Sequence, residues 1–297
     1  NRNEFANFGD RVMPPEHRYE RAHEFMEVCI ELWESWQADA LVLDRERGVY
    51  ADPSKVRRIE HEGRFFKSRG PLNVIRSPQV GPAILQAGVS PQGQSFAAKY
   101  ADGIFAINPS IDAARDYFDA IKSQVVDAGR EPEHCRILFG VQPILGESRS
   151  EAEERQAEHN ALVPLEAGLT ILSGHSGVDL SRIGLDETVD TSEALGASRS
   201  ARVFRGLEGE PLALREAAQR HGQSVGLPQV VGTPADVADQ LEDYFIRIGG
   251  DGFMLSPIYL PGAIEDFVDL VVPELQRRDL FRTAYEGKTQ RDHLRQA

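Results

Sequence analysis

Arg76 to Asn108, RSPQVGPAILQAGVSPQGQSFAAKYADGIFAIN, constrains this chain more than any other stretch. Pro82-Ala-Ile-Leu-Gln86 is a short apolar run of the kind shown by a strand buried on both faces. It stops at Ala87-Gly-Val-Ser90, and a helix pattern runs from Pro91 to Tyr100, with Phe96 and Ala97 one turn before Tyr100 and Ala101. A second apolar run, Gly103 to Ile107, follows at once. Strand, glycine-bearing turn, helix and strand in about thirty residues make one βαβ unit.

The turn is where chemistry would sit. Gly88 lets backbone approach a ligand, and Ser90 is a good N-cap whose hydroxyl can face either the helix or an anion. The N–H groups of the first helical turn point to the same place, with the positive end of the helix dipole behind them. Pro91 costs nothing at the first helical position, because that N–H has no helical partner anyway. Gly93 keeps the first turn uncrowded. An ordinary serine-capped connection has the same local sequence, so the turn alone leaves both readings open.

The rest of the chain repeats the alternation. A helix is expected over 14–36, with Tyr19, Ala22, Phe25, Met26, Cys29, Leu32, Trp33 and Trp36 at helical spacing as core. Residues 37–71 read as a long charged insertion loop, in which Phe65-Phe66 is a short strand or a plug. A helix over 111–129 opens at Ser110, and 135–145 is a strand that Gly140 and Pro143 should bulge or end early. Residues 147–227 read as a helical and irregular insertion: one helix to about Leu172, a lid-like excursion over 173–209, and a helix over 211–220. Thr233-Pro234 opens a helix to Ile248, a strand runs from Asp251 to Ser256, and a last helix covers 263–277. Four strands, near 82, 103, 136 and 251, each with a following helix, imply a parallel sheet with helices outside it. Four such units are half of an eight-stranded barrel and also enough for a small open sheet.

Net charge sets limits on partners. Forty-seven acidic against 33 basic residues give −14, a field that argues against nucleic acid and anionic membranes. Cys29 and Cys135 both lie in apolar segments and read as reduced core thiols of a cytoplasmic protein. No run approaches eighteen apolar residues, and no signal-peptide pattern is present. His61, His134, His159, His175, His221 and His293 are scattered without metal-ligand spacing, so no metal is expected. No G-x-G-x-x-G nucleotide fingerprint occurs. The chain opens Asn1-Arg-Asn-Glu-Phe, without Met and with no strand pattern before about residue 72.

Gln86-Ala-Gly-Val-Ser-Pro-Gln-Gly93, with Phe96-Ala-Ala-Lys-Tyr-Ala-Asp102, resembles the flavin-phosphate turn of the bacterial luciferase-like monooxygenases. The branch with nitrilotriacetate, dibenzothiophene sulfone and long-chain alkane monooxygenases is the nearer match. Its pattern is visible in Arg18-Tyr-Glu-Arg-Ala-His-Glu-Phe25, Gly48-Val-Tyr-Ala-Asp-Pro53, Gly70-Pro-Leu-Asn-Val74, Val231-Gly-Thr-Pro234 and Phe267-Val-Asp-Leu-Val-Val-Pro-Glu-Leu-Gln-Arg-Arg278. The resemblance covers nearly all of the chain and is weakest over 150–205. It implies one TIM-like (β/α)8 barrel domain over 1–297, of which this chain holds about the last four βα units plus insertions, the front half being absent. By the same resemblance Tyr19, Ala87, Gly88, Val89 and Ser90 would hold the phosphate of FMN. The histidine that the family often has four residues before the tyrosine is Pro15 here, and His17 would face elsewhere.

The implied activity is that of the oxygenase component of a two-component system. Reduced FMN would come from a separate NAD(P)H:flavin reductase, and O2 would oxygenate a small organic substrate containing N, S or an alkyl chain. A homo-oligomer is expected. A deazaflavin F420-dependent barrel dehydrogenase and a non-catalytic flavin-binding protein are the alternatives. Phe65-Phe66, Asn108-Pro109 and Ser256-Pro-Ile-Tyr259 are candidate substrate-pocket lining, and no catalytic acid or base is singled out.

Overall fold

The computed structural model describes residues 14–88, 90–107, 110–176, 179–189, 203–206 and 209–296, and helix α1 (Pro15–Trp33) comes first among them. Pro15 lies in its first turn, where a missing N–H is harmless. The chain divides into two compact units, Asn1–Ile84 with Gly287–His293 and Leu85–Glu286 with Leu294–Ala297.

In the first unit α1 buries Met26 and Val28, while Phe25 is half exposed and meets Phe66 ring to ring at 5.8 Å. Trp33 fills the space that a side chain at residue 81 would need, which explains Gly81. Trp36 lies beyond the helix and donates its indole N–H to Leu72 O at 2.8 Å. The region expected to be a loop contains two small antiparallel hairpins. One pairs β1 (Leu41–Asp44) with β2 (Val49–Ala51), and the other pairs β3 (His61–Glu62) with β4 (Lys67–Ser68). Gly48 supplies the left-handed φ of +67° that the first turn needs, and Asp44 accepts from Arg47 N and Nε across that turn. Phe65 and Phe66 form the tip of the second hairpin. Their N–H groups both donate to the Glu24 carboxylate of α1.

The second unit holds a parallel sheet of five strands among the described residues: β5 (Leu85–Ala87), β6 (Gly103–Ala106), β7 (Arg136–Leu145), β8 (Gln229–Gly232) and β9 (Gly252–Leu255). This corrects the expected four. β8 is only four residues long and opens on Gln229, so its apolar signal is two valines. It also corrects β5, which starts three residues later than expected and lies at the edge of the sheet. Leu85 and Ala87 are exposed, so the strand is not buried on both faces.

β7 is the spine. Phe139 pairs with Ala106 on one edge and Phe253 on the other, and Gln142 to Leu145 pair with Gln229 to Gly232. The strand passes through Gly140 and Pro143 without ending. A Cβ on Gly140 would meet Leu227 at 2.5 Å and Phe105 at 2.9 Å, so glycine is there for close packing. β9 pairs with β7 only as far as Val141, so the N–H that Pro143 lacks falls past the end of that partner.

The helices cover the sheet as the alternation requires. They are α2 (Pro91–Tyr100), α3 (Ile111–Asp127), α4 (Arg149–Ala161), α5 (Leu165–Ser176), α6 (Leu214–Ser224) and α7 (Pro234–Ile248). Ile104, Ile137 and Phe139 of the sheet pack with Ala97, Ala114, Ile121 and Ile248 of the helices in one core. The expected helix over 147–172 is two helices, because Pro164 and the turn before it interrupt the ladder between α4 and α5. α5 and α6 approach closely at Gly168, where a Cβ would run into the backbone of Ala218. The last expected helix is three pieces: α8 (Gly262–Asp266), a π turn over Phe267–Val271, and α9 (Val272–Arg277). Pro273 removes an N–H just where the ladder widens. Parts of the expected excursion over 173–209 lie outside the described residues.

Candidate functional site

The βαβ unit read from the sequence is built as expected at its helix. Ser90 is the N-cap of α2, 6% exposed, and its Oγ accepts from Gly93 N at 3.0 Å. Ser90 O accepts the first helical bond, from Gln94 N at 2.8 Å. Pro91 follows in the first turn. The N-terminus of α2 therefore sits at the C-terminal end of β5, the end at which parallel α/β folds place their ligands. Ala87 is the last residue of β5, paired with Phe105, so it belongs to the strand and not to the turn. Gly88 follows it half-buried, and Val89 lies outside the described residues.

Two further side chains reach this turn that sequence reasoning did not assign. Tyr117 of α3, 3% exposed, donates its hydroxyl to Gly88 O at 2.8 Å. Gln86 folds over the turn, where its Nε2 would be 2.7 Å from a Cβ on Gly88 and donates to Ala87 O at 3.3 Å. Its Oε1 is buried and accepts no hydrogen bond from the described residues. Twenty-nine residues separate Tyr117 from Gly88, so only the packing of α3 beside α2 reveals the contact.

These parts make a donor-rich cradle. A phosphate is an acceptor, and the Ser90 hydroxyl, the first-turn N–H groups and the helix dipole all favour it. One backbone acceptor of the turn, Gly88 O, is engaged by Tyr117. The orphaned Gln86 Oε1 calls for a donor, which the hydroxyl-bearing chain next to a flavin phosphate carries. On both counts the residues fit FMN.

Tyr19 lies in the first unit on α1, half-buried, in the second helical turn. His17 is bonded to Glu20 Oε2 at 3.0 Å on the same helix. Of the candidate lining, Ile258 and Tyr259 border a shallow recess with Ile144, Leu145, Arg155 and Asp266, whereas Asn108 and Pro109 lie outside the described residues. Among the described residues no three His, Cys, Asp or Glu are placed to hold a metal. No described helix is long and apolar enough to cross a membrane.

The luciferase-like monooxygenase family profile matches residues 1–252. The chain belongs to the luciferase-like monooxygenase family. It is 43% identical over 298 aligned positions to the dibenzothiophene-sulfone monooxygenase of Rhodococcus erythropolis, covering 98% of this chain and 66% of that protein. Nitrilotriacetate monooxygenase component A of Aminobacter aminovorans is 39% identical over 98% of this chain and 65% of its own length. A crystal structure of riboflavin lyase, with modified FMN and riboflavin, superposes with a TM-score of 0.85 at 30% identity, over 98% of this chain and 64% of that one. The chain thus spans about two thirds of the length of the relatives it matches. Its fold is the parallel α/β barrel-type fold of the luciferase-like family, and the reading of four strands as half of a barrel is not confirmed by the five-stranded sheet.

Two of the scattered histidines do meet. His175 Nδ1 and His221 Nε2 lie 2.8 Å apart between α5 and α6, with the rings edge to face. Burial, and then the neighbouring His175, push His221 down to about 4. Between that value and the ordinary 6.5 the unfolded chain takes up a proton that the folded chain refuses, so stability falls as the pH falls. The full loss is about 3 kcal/mol for a shift of this size. The urea midpoint is therefore expected to drop steadily from pH 6.5 to pH 4, and His221→Gln should flatten that slope. An equal slope in wild type and variant would remove His221 as its source.

Proposed function

We propose that this luciferase-like protein acts as the oxygenase component of a two-component monooxygenase, with reduced FMN held by its phosphate at the Gly88–Ser90 turn. The carrying observation is the turn itself: a buried serine N-cap at a strand's C-terminal end, the Gly88 carbonyl engaged and the Gln86 amide oxygen left for a ligand donor. Ala87 lends backbone only in this reading, and Tyr19 is a candidate for the phosphate on the strength of the family resemblance alone. When bound, reduced FMN supplies the electrons with which O2 is split between substrate and water. The protein's own work is to anchor the phosphate, close water out of the barrel mouth and hold the substrate beside the flavin ring.

The relatives guide the substrate class. Names such as dibenzothiophene-sulfone, nitrilotriacetate, long-chain alkane and dimethyl-sulfide monooxygenase support a small organic substrate oxidised beside S, N or carbon. The designation "component A" of one relative supports a separate flavin reductase as partner. These monooxygenase names also favour oxygen transfer over hydride transfer to a deazaflavin. The test is oxygen uptake with enzymatically reduced FMN across a panel of sulfones, sulfides, aminopolycarboxylates and alkanes, with products identified by mass spectrometry. One substrate-dependent, O2-derived product is expected. FMN binding with no such product from any panel member would leave a flavin-binding protein instead.

A further inference from the structure

We infer that Tyr117 is a positioning residue of the flavin-phosphate turn. It sets the Gly88 peptide so that the Gly88 carbonyl, one acceptor of the turn, is turned away from an anion. This inference rests on the reading of the turn given above and adds a residue from a different helix to it.

A carbonyl oxygen left facing a dianion would repel it, and one left buried without a donor would be costly. At the end of β5 the ladder to β6 stops at Ala87, so Gly88 O has no strand partner among the described residues. Glycine at that position also has the widest choice of backbone conformation, so something outside the turn must choose one. The Tyr117 hydroxyl does so at 2.8 Å. Because the peptide group is planar, holding its oxygen holds the orientation of the whole group. Tyr117 is well placed for the task. Its ring is 3% exposed in the core that contains Ala97, Ala101, Ala114 and Ile121, so the hydroxyl is delivered from a fixed frame and not by a mobile surface side chain. The alanines of α2 and α3 leave room for a ring between the helices. Phenylalanine would fill the same space, and the ring alone explains the packing. The hydroxyl is the part that packing does not explain.

The test compares FMN with riboflavin, which has the same ring and ribityl chain but no phosphate. Both are titrated into wild type, Tyr117→Phe and Ser90→Asp. Tyr117→Phe is expected to weaken FMN about five- to tenfold, the effect of one hydrogen bond, and to leave riboflavin within a factor of about two. Partial loss of fold lowers both affinities together, so the ratio reads the phosphate turn alone. An unchanged ratio in Tyr117→Phe, whether both affinities hold or both fall, overturns the inference. If Ser90→Asp shifts the ratio while Tyr117→Phe does not, the turn binds phosphate and only the role of Tyr117 is wrong. If neither variant shifts it, the phosphate is not held at this turn and both readings fall.

Discussion

Replacing Ser90 with aspartate is expected to weaken FMN binding by about two to three orders of magnitude while leaving the fold intact. Aspartate caps helices as well as serine, so the bond from Gly93 N at 3.0 Å has an acceptor in either case. The helix dipole favours the added carboxylate. The same carboxylate is placed against a phosphate. A charge of about −1.5 held ~6 Å from a unit negative charge at an effective dielectric of ~20 is disfavoured by about 4 kcal/mol. Partial screening brings this nearer 3 kcal/mol, still roughly a hundredfold. Riboflavin, lacking the phosphate, should lose little. Ser90→Ala makes the complementary case: it removes the cap, costing about 1 kcal/mol of stability, and should weaken FMN far less than aspartate does. Fluorescence titration at matched far-UV CD measures all three. Equal FMN affinity in wild type and Ser90→Asp would move the phosphate away from α2.

How far the sequence speaks for itself differs between the halves of this site. Ser90-Pro91 and Thr233-Pro234 pair a cap with a proline that only a first helical turn tolerates, and the starts of α2 and α7 lie where those pairs put them. Strands were less legible. β8 offers Gln-Val-Val-Gly, too short for periodicity, and its place is fixed by pairing with Gln142 to Leu145 more than eighty residues away. Burial of β5 was misjudged because an apolar run states what a strand tolerates, whereas its position at the sheet edge decides what it gets.

Contacts between helices were illegible altogether. Tyr117 reads as one more apolar residue on the inner face of α3, and nothing local marks its hydroxyl as aimed at Gly88. His175 and His221, forty-six residues apart, read as unrelated until α5 and α6 pack. The amides of Gln142, Gln229, Asn160 and Gln156 likewise become one network, linked at 2.7–3.1 Å, only when α4 lies against β7 and β8. Resemblance to a family fills part of this gap, because it carries tertiary neighbours along with the sequence. It does so only for residues that the matched motifs contain, and Tyr117 lies outside them.

Asp251→Ala is expected to be the most damaging single substitution away from the flavin turn. Asp251 immediately precedes β9 at the N-terminal edge of the sheet, the end opposite Gly88 and Ser90. Its carboxylate takes Lys122 Nζ at 2.7 Å, Arg136 Nη1 at 3.2 Å and Ile137 N at 2.8 Å, tying α3 and β7 to β9. All three charged side chains are mostly buried, with exposures of 16, 14 and 10% for Lys122, Arg136 and Asp251. Surface ion pairs add about 0–1 kcal/mol, because water competes for both partners. Removing one partner of a buried set costs about 3–5 kcal/mol, because the others are left desolvated without a counter-charge. Here two cations and a strand N–H lose their acceptor together, although Lys122 keeps Pro132 O and Cys135 O and Arg136 keeps two C-terminal carbonyls. Those remaining bonds place the expected loss near the lower figure, about 3 kcal/mol, or roughly 6–12 °C in Tm for a unit of this size. The ratio of FMN to riboflavin affinity should not move, because the network lies at the end of the sheet that anchors structure and not at the end that binds. Urea unfolding of wild type and Asp251→Ala gives the answer directly. A loss below about 1 kcal/mol would mean that the three charges are hydrated in solution and that β9 is held by its pairing with β7 alone.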